Sequence, residues 1–277
     1  MRTLTPVGVR DLTPDESQHE EERLSAMRSV YERHAYQGLV TPTIEFFDTL
    51  APVMTQNLRD TCIKFFDSEK RTLVLRPDHT LQIARMVAAR MRDAALPIRV
   101  SYEGPVFRRE QGGELELMQS GVECMGLPGV EAEAEIIALC IEVLKKVGFS
   151  EIMVDIGHVS FLDSLSDVQK RHLLEGNYEA LGYLPQAGGL NLVQDSPSLL
   201  ALYKILDQQG LSSHLRFNRG LVSSISYYTG IVFDVYLPEL NRIVASGGRY
   251  DHLVRQFGYD IPAVGFAFHS LESWERI

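Results

Sequence analysis

Hydrophobic and polar residues alternate with period two through Ile98–Phe107, which predicts a strand. After Gly112 and Gly113 the pattern resumes, with Met118, Ser120 and Val122 on one face and Gln119, Gly121 and Glu123 on the other. Thr13-Pro14-Asp15-Glu16 reads as a helix start with a capping box and a proline in the first turn. Leu24, Met27, Tyr31 and His34 then form an apolar stripe, and Gly38 is expected to end that helix. A second helix is predicted over residues 131–147, where Ile137, Cys140, Ile141, Leu144 and Val147 share a face. Its acidic start and its Lys145-Lys146 finish complement the helix dipole. Further strand-like runs lie at residues 72–75, 151–156 and 231–236. Strands returning through short turns, with helices between them, predict an α+β fold built on a mainly antiparallel sheet. Residues 161–165, 168–181 and 198–209 carry helical patterns, so 157–214 is expected to be a helical insert in a core of 1–156 plus 215–277.

Composition narrows the class. The 277 residues are 45% hydrophobic and 23% charged, as in ordinary globular proteins. The sequence has no signal-peptide pattern and no apolar run of the roughly 18 residues a membrane helix needs, so a cytoplasmic location is expected. Cys62, Cys124 and Cys140 are widely spaced, which suits a reducing compartment and suggests neither a disulfide framework nor a zinc site. A net charge of −10 argues against a tRNA-binding surface, which must neutralise many phosphates.

Candidate chemistry concentrates in YEGPVFRREQGGELELMQSGVECMG, residues 102–126, where Arg108 and Arg109 arrive at a strand end. A surface hairpin balancing Glu103, Glu110, Glu114 and Glu116 is the plainer alternative. Other segments surround it in a telling order: GLVTPTIE from Gly38, LRPDHT from Leu75, then SYYTGIVFD, SGGRYD and PAVGF. Together these resemble the motifs of class II aminoacyl-tRNA synthetases, in the version carried by histidyl-tRNA synthetase, over nearly the whole chain.

The resemblance implies a class II synthetase-like fold and a histidine pocket. Asp78 and Thr80 of LRPDHT, with Gln119, fall on the positions that receive the ammonium. Glu123 falls on the ring-binding glutamate and Tyr228 on the pocket tyrosine, with Tyr227 beside it and Tyr250 closing the site. Asp78 is one methylene shorter than the family's glutamate. The structural alternative is that Tyr227 and Tyr228 simply pack and that Glu123 pairs with Arg76 or Arg85.

The catalytic positions depart from the synthetase pattern. The arginine and aspartate that precede the tyrosine pair become Ser223 and Ser226, and losing a fixed positive charge costs an adenylating enzyme about 10²-fold or more. The motif 3 arginine becomes Glu272 or Ser273. Arg108 alone remains of the phosphate ligands, as a residual anion site or as a salt bridge to Glu110 or Glu123. His269 and Glu272 do not make a metal site, and no cofactor is expected. The sequence ends at Ile277 with no anticodon-binding domain in view.

A synthetase-like core with an amino-acid pocket and a damaged ATP site resembles the regulatory subunits of ATP phosphoribosyltransferase. That resemblance implies a non-catalytic protein of histidine biosynthesis, with a short-form catalytic subunit (HisG) as partner and histidine as feedback effector. It also implies a homodimer, formed around Gly38 to Glu45, within a hetero-oligomer. Histidine is placed either in the pocket or at the interface between the two kinds of subunit.

Overall fold

The structure, a computed structural model, describes residues 4–109, 113–163, 165–174, 177–181, 185–221, 227–271 and 274. The helices are α1 (Pro14–Arg33), α2 (Phe47–Leu50), α3 (Gln56–Thr61), α4 (Thr80–Arg90), α5 (Glu131–Lys146), α6 (Asp167–Leu174), α7 (Tyr178–Leu181) and α8 (Pro197–Gln208). The first strands are β1 (Gln37–Gly38), β2 (Ile44–Phe46), β3 (Lys64–Phe66), β4 (Thr72–Leu75), β5 (Ile98–Phe107) and β6 (Glu116–Met125). They are followed by β7 (Met153–His158), β8 (Ala187–Gly188), β9 (Leu215–Asn218), β10 (Ile231–Leu237), β11 (Arg242–Arg249) and β12 (Ala263–Phe268).

The start of α1 follows its sequence. Thr13 N–H donates to the Glu16 carboxylate at 2.7 Å while the Thr13 hydroxyl accepts from Glu16 N–H. Its buried stripe is Leu24, Met27, Val30 and Tyr31. His34 does not belong to it: it caps the helix C-terminus in solvent, its Nε2 2.8 Å from Glu142. Nor does Gly38 end the helix. The chain turns earlier, at Ala35 with φ 62°, and Gly38 enters β1, which pairs in parallel with β5.

Nine strands form one sheet in the order β1-β5-β6-β12-β11-β10-β7-β9-β8, antiparallel except at β1·β5 and β7·β9. A small second sheet runs β2-β4-β3. The large sheet has two unlike faces. Val122, Cys124, Val264, Phe266, Phe268, Phe233 and Val235 point to one, and the helices α1, α5 and α8 cover them as a continuous apolar core. The opposite face carries Gln119, Gly121, Glu123, Ser246, Gly265 and Ala267, beneath α4 and a smaller apolar cluster.

The stretch between β7 and β9 is less regular than its periodicity suggests. Residues 161–165 give only a 3₁₀ turn, Val159–Leu162. The pattern at 168–181 divides into α6 and α7, because the Asn177 side chain caps a new helix through Ala180 N–H at 3.2 Å. Leu199, Leu202 and Leu206 of α8 are buried in the same core as α5.

Candidate functional site

The site grows out of the α4 N-terminus and strand β6. Asp78 accepts the Leu81 N–H at 3.1 Å, satisfying one of the free donors that open a helix. This fixes the turn that presents Thr80. The Thr80 hydroxyl donates to Glu123 Oε1 at 2.6 Å, and the Tyr250 hydroxyl donates to Glu123 Oε2. Glu123 is 1% exposed, and burial raises its pKa to about 8 despite these donors, with the nearby Asp78 charge adding to the rise. Burial also raises the Asp78 carboxyl, against the pull of Leu81 N–H and of the Arg108 charge.

One cavity gathers Asp78, Thr80, Glu123, Tyr227, Tyr228 and Tyr250, together with Ser246, Gly265, Ala267 and His269. Tyr227 meets Tyr228 and Tyr250 edge-on, with ring centroids 5.5 and 5.8 Å away. Glycine makes this packing possible: a Cβ on Gly265 would stand 1.7 Å from Glu123 Oε2, and one on Gly248 would stand 3.0 Å from the Tyr228 ring. Gln119 lies beside His269, its Nε2 3.4 Å from Nδ1, and its buried Oε1 has no hydrogen-bond partner. The arginines proposed as partners of Glu123 are engaged elsewhere. Arg76 donates to the Pro105 carbonyl at 2.8 and 3.0 Å and to the Thr41 carbonyl at 3.1 Å, and Arg85 donates to Glu45 at 2.5 Å. Arg108 donates to the Pro77 carbonyl at 2.8 Å and is not among the residues lining the cavity. Glu110, Ser223, Ser226, Glu272 and Ser273 lie outside the described residues.

Three residues in or beside the site make contacts that the sequence patterns do not reveal. His79, 2% exposed, stacks on Tyr102 at 4.7 Å, and its Nε2 lies 3.1 Å from the Gly104 carbonyl oxygen. Ser246 donates to Asp234 at 2.7 Å, so the hydroxyl presents only lone pairs to the cavity. His269 arrives at the end of β12. Thr80, Tyr250 and Ser246 thus all give their protons to carboxylates. Asp78, Glu123 and these hydroxyl oxygens offer the cavity several acceptors for the N–H groups of a ligand, beside the Tyr227 and Tyr228 hydroxyls and the His269 ring.

The wider comparisons agree on ancestry. The family model described as Histidyl-tRNA synthetase matches residues 8–181 and 173–272. A relative from Syntrophotalea carbinolica, named ATP phosphoribosyltransferase regulatory subunit, is 33% identical over 97% of this chain and 73% of its own length. The chain belongs to the family of ATP phosphoribosyltransferase regulatory subunits, which are related to histidyl-tRNA synthetase. A solved structure from this family, an ATP phosphoribosyltransferase regulatory subunit/histidyl-tRNA synthetase from Bacillus halodurans C, superposes with a TM-score of 0.89 at 30% identity. That match covers 99% of this chain and 83% of the other. Apo S. aureus histidyl-tRNA synthetase shares the fold, with a TM-score of 0.76 at 21% identity over 99% of this chain and 74% of that one. Among the described residues no helix is long and apolar enough to cross a membrane, and no cluster of three metal-ligating side chains occurs.

Proposed function

We propose that this protein is the non-catalytic, histidine-sensing subunit of a cytoplasmic ATP phosphoribosyltransferase, acting on a short-form catalytic subunit in a hetero-oligomer. The observation that carries the reading is the acceptor-lined cavity around Glu123. Histidine brings an ammonium group and an imidazole; Asp78, Glu123 and the oriented hydroxyls line the cavity and match those donors, and the unpaired Gln119 Oε1 lies just outside its lining, beside His269. With its pKa near 8, Glu123 holds a proton at neutral pH when the site is empty. An arriving N–H replaces that proton and lets the carboxylate form.

The cavity holds about 30 Å³. A cavity of about 150 Å³ binds benzene, so a wall that moves outward as histidine enters is part of this reading. That movement supplies what feedback requires, because a ligand shifts an equilibrium only when it binds one state better than another. The homodimer is assigned to the region around Gly38 to Glu45, where Val40 is 94% exposed and Ile44 and Phe46 also face solvent.

Calorimetry with histidine, on the chain alone and mixed with the catalytic subunit, tests the proposal. Saturable binding is expected, weakened about tenfold or more in Glu123→Gln, which cannot form the carboxylate. Absence of binding in both preparations overturns the sensor role. Robust histidine-dependent ATP–pyrophosphate exchange overturns the non-catalytic assignment in favour of a reduced synthetase.

A further inference from the structure

Among the described residues that line the cavity there is no arginine or lysine, so the α-carboxylate of a bound amino acid needs a neutral donor there. The cavity offers one at its far end. Register across β6 and β12 pairs Ser120 with Phe268, which brings His269 beside Gln119. An amide nitrogen can only donate, so the Gln119 Nε2 contact at 3.4 Å makes His269 Nδ1 an acceptor. Burial, with the positive charges of Arg108 and Arg242 nearby, keeps the ring neutral by pushing its pKa down to about 3. A neutral ring that accepts at Nδ1 carries its single proton on Nε2, and His269 lines the cavity.

The backbone holds this residue in place from both sides. His269 N–H donates to the Val244 carbonyl at 2.9 Å, and its own carbonyl accepts from Trp274 Nε1 at 3.1 Å. The next residue, Ser270, is a buried non-glycine with φ 49°, a conformation that costs energy and persists only where the surroundings impose it. Gln119 and Glu123 are four residues apart on one strand, about 13 Å between Cα atoms.

We propose that His269 is a specificity-determining residue whose Nε2–H donates to the α-carboxylate of the bound amino acid, while Glu123 receives the ring at the other end. The inference rests on the histidine-binding role proposed above and adds the group that distinguishes an amino acid from its decarboxylated amine.

Calorimetry on the full chain with histidine and with histamine tests it. Wild-type protein is expected to prefer histidine. His269→Ala should lose about tenfold or more in histidine affinity, as for a hydrogen bond to a charged group, with histamine changed by no more than about twofold. His269→Gln, which keeps a donor, should recover part of the preference. Equal loss of both ligands, or no loss of histidine affinity, overturns the role of His269 and leaves the pocket standing. Should the alanine variant not fold, His269→Phe fills the same space without a donor: a retained preference for histidine overturns the proposal, and a lost one supports it. A wild-type chain that binds neither ligand overturns the pocket assignment and this inference together.

Discussion

The two faces of the large sheet are made from the same strands and do opposite things. On the helix-covered face, Phe233, Phe266 and Phe268 are at most 2% exposed, and α5 alone buries ten residues against that side. On the other face the corresponding positions are Gly121, Gly265, Ser246, Ala267, Gln119 and Glu123. Large side chains on one side exclude water and ligand alike, whereas small ones on the other leave space with buried polar groups around it. Strand alternation therefore separates what stabilises the molecule from what it can recognise. The separation has a cost, because a buried carboxyl such as Glu123 opposes folding whenever it is charged.

That contrast can be broken from the stable side first. Phe233→Ala should destabilise the protein by about 3 to 5 kcal/mol, read from chemical denaturation, because its ring is wholly enclosed by the core. A pocket-face change should act through pH instead. Glu123 has a folded pKa raised to about 8 from an ordinary 4.5, so the neutral form favours the fold. Its stabilising contribution is complete below about pH 4.5 and is lost as pH rises toward 8, by about 1.4 kcal/mol per pH unit. Glu123→Gln should remove that slope, so that denaturation at pH 5 and at pH 8 separates the two proteins progressively. Smallest is Ser246→Ala, which deletes one acceptor from the cavity wall. It should weaken histidine binding by about three- to tenfold in calorimetry, with a stability loss of about 1 to 2 kcal/mol because Asp234 loses its donor. A large stability loss there would blur the distinction between the faces.

Much of this division is legible in the sequence, because it is written in local periodicity. The α1 capping box, the charge-complemented ends of α5 and the alternation of β5 and β6 each depend on residues within a few positions of one another. Asp78, Thr80 and Glu123 could be placed by motif, and the geometry adds that Thr80 bonds Glu123 while Asp78 caps the turn through Leu81 N–H. Other members needed distant registers. Asp234 meets Ser246 only because β10 pairs with β11, and His269 meets Gln119 only because β12 pairs with β6. His79 occupies a position where LRPDHT departs from LRPEGT, yet its contacts with Tyr102 and Gly104 depend on how β5 lies against α4. Arg108 falls on a phosphate-ligand position only through the resemblance, and the sequence does not reveal that it donates to the Pro77 carbonyl in the LRPDHT turn. His34 fitted a helical stripe by spacing alone. Spacing does not reveal that the last turn reaches solvent, where a carboxylate on α5 receives the ring.

Arg249, the last residue of β11, and Tyr250, which follows it, straddle the sheet. Tyr250 grips Glu123 in the cavity, while Arg249 is clamped on the helical side by Glu133 of α5, with Nε 2.7 Å from Oε1, and by the carbonyls of Leu127 and Gly129. The two grips share a single peptide bond. Cavity and outer helix are thus tied to neighbouring residues at one strand end, on opposite sides of the sheet.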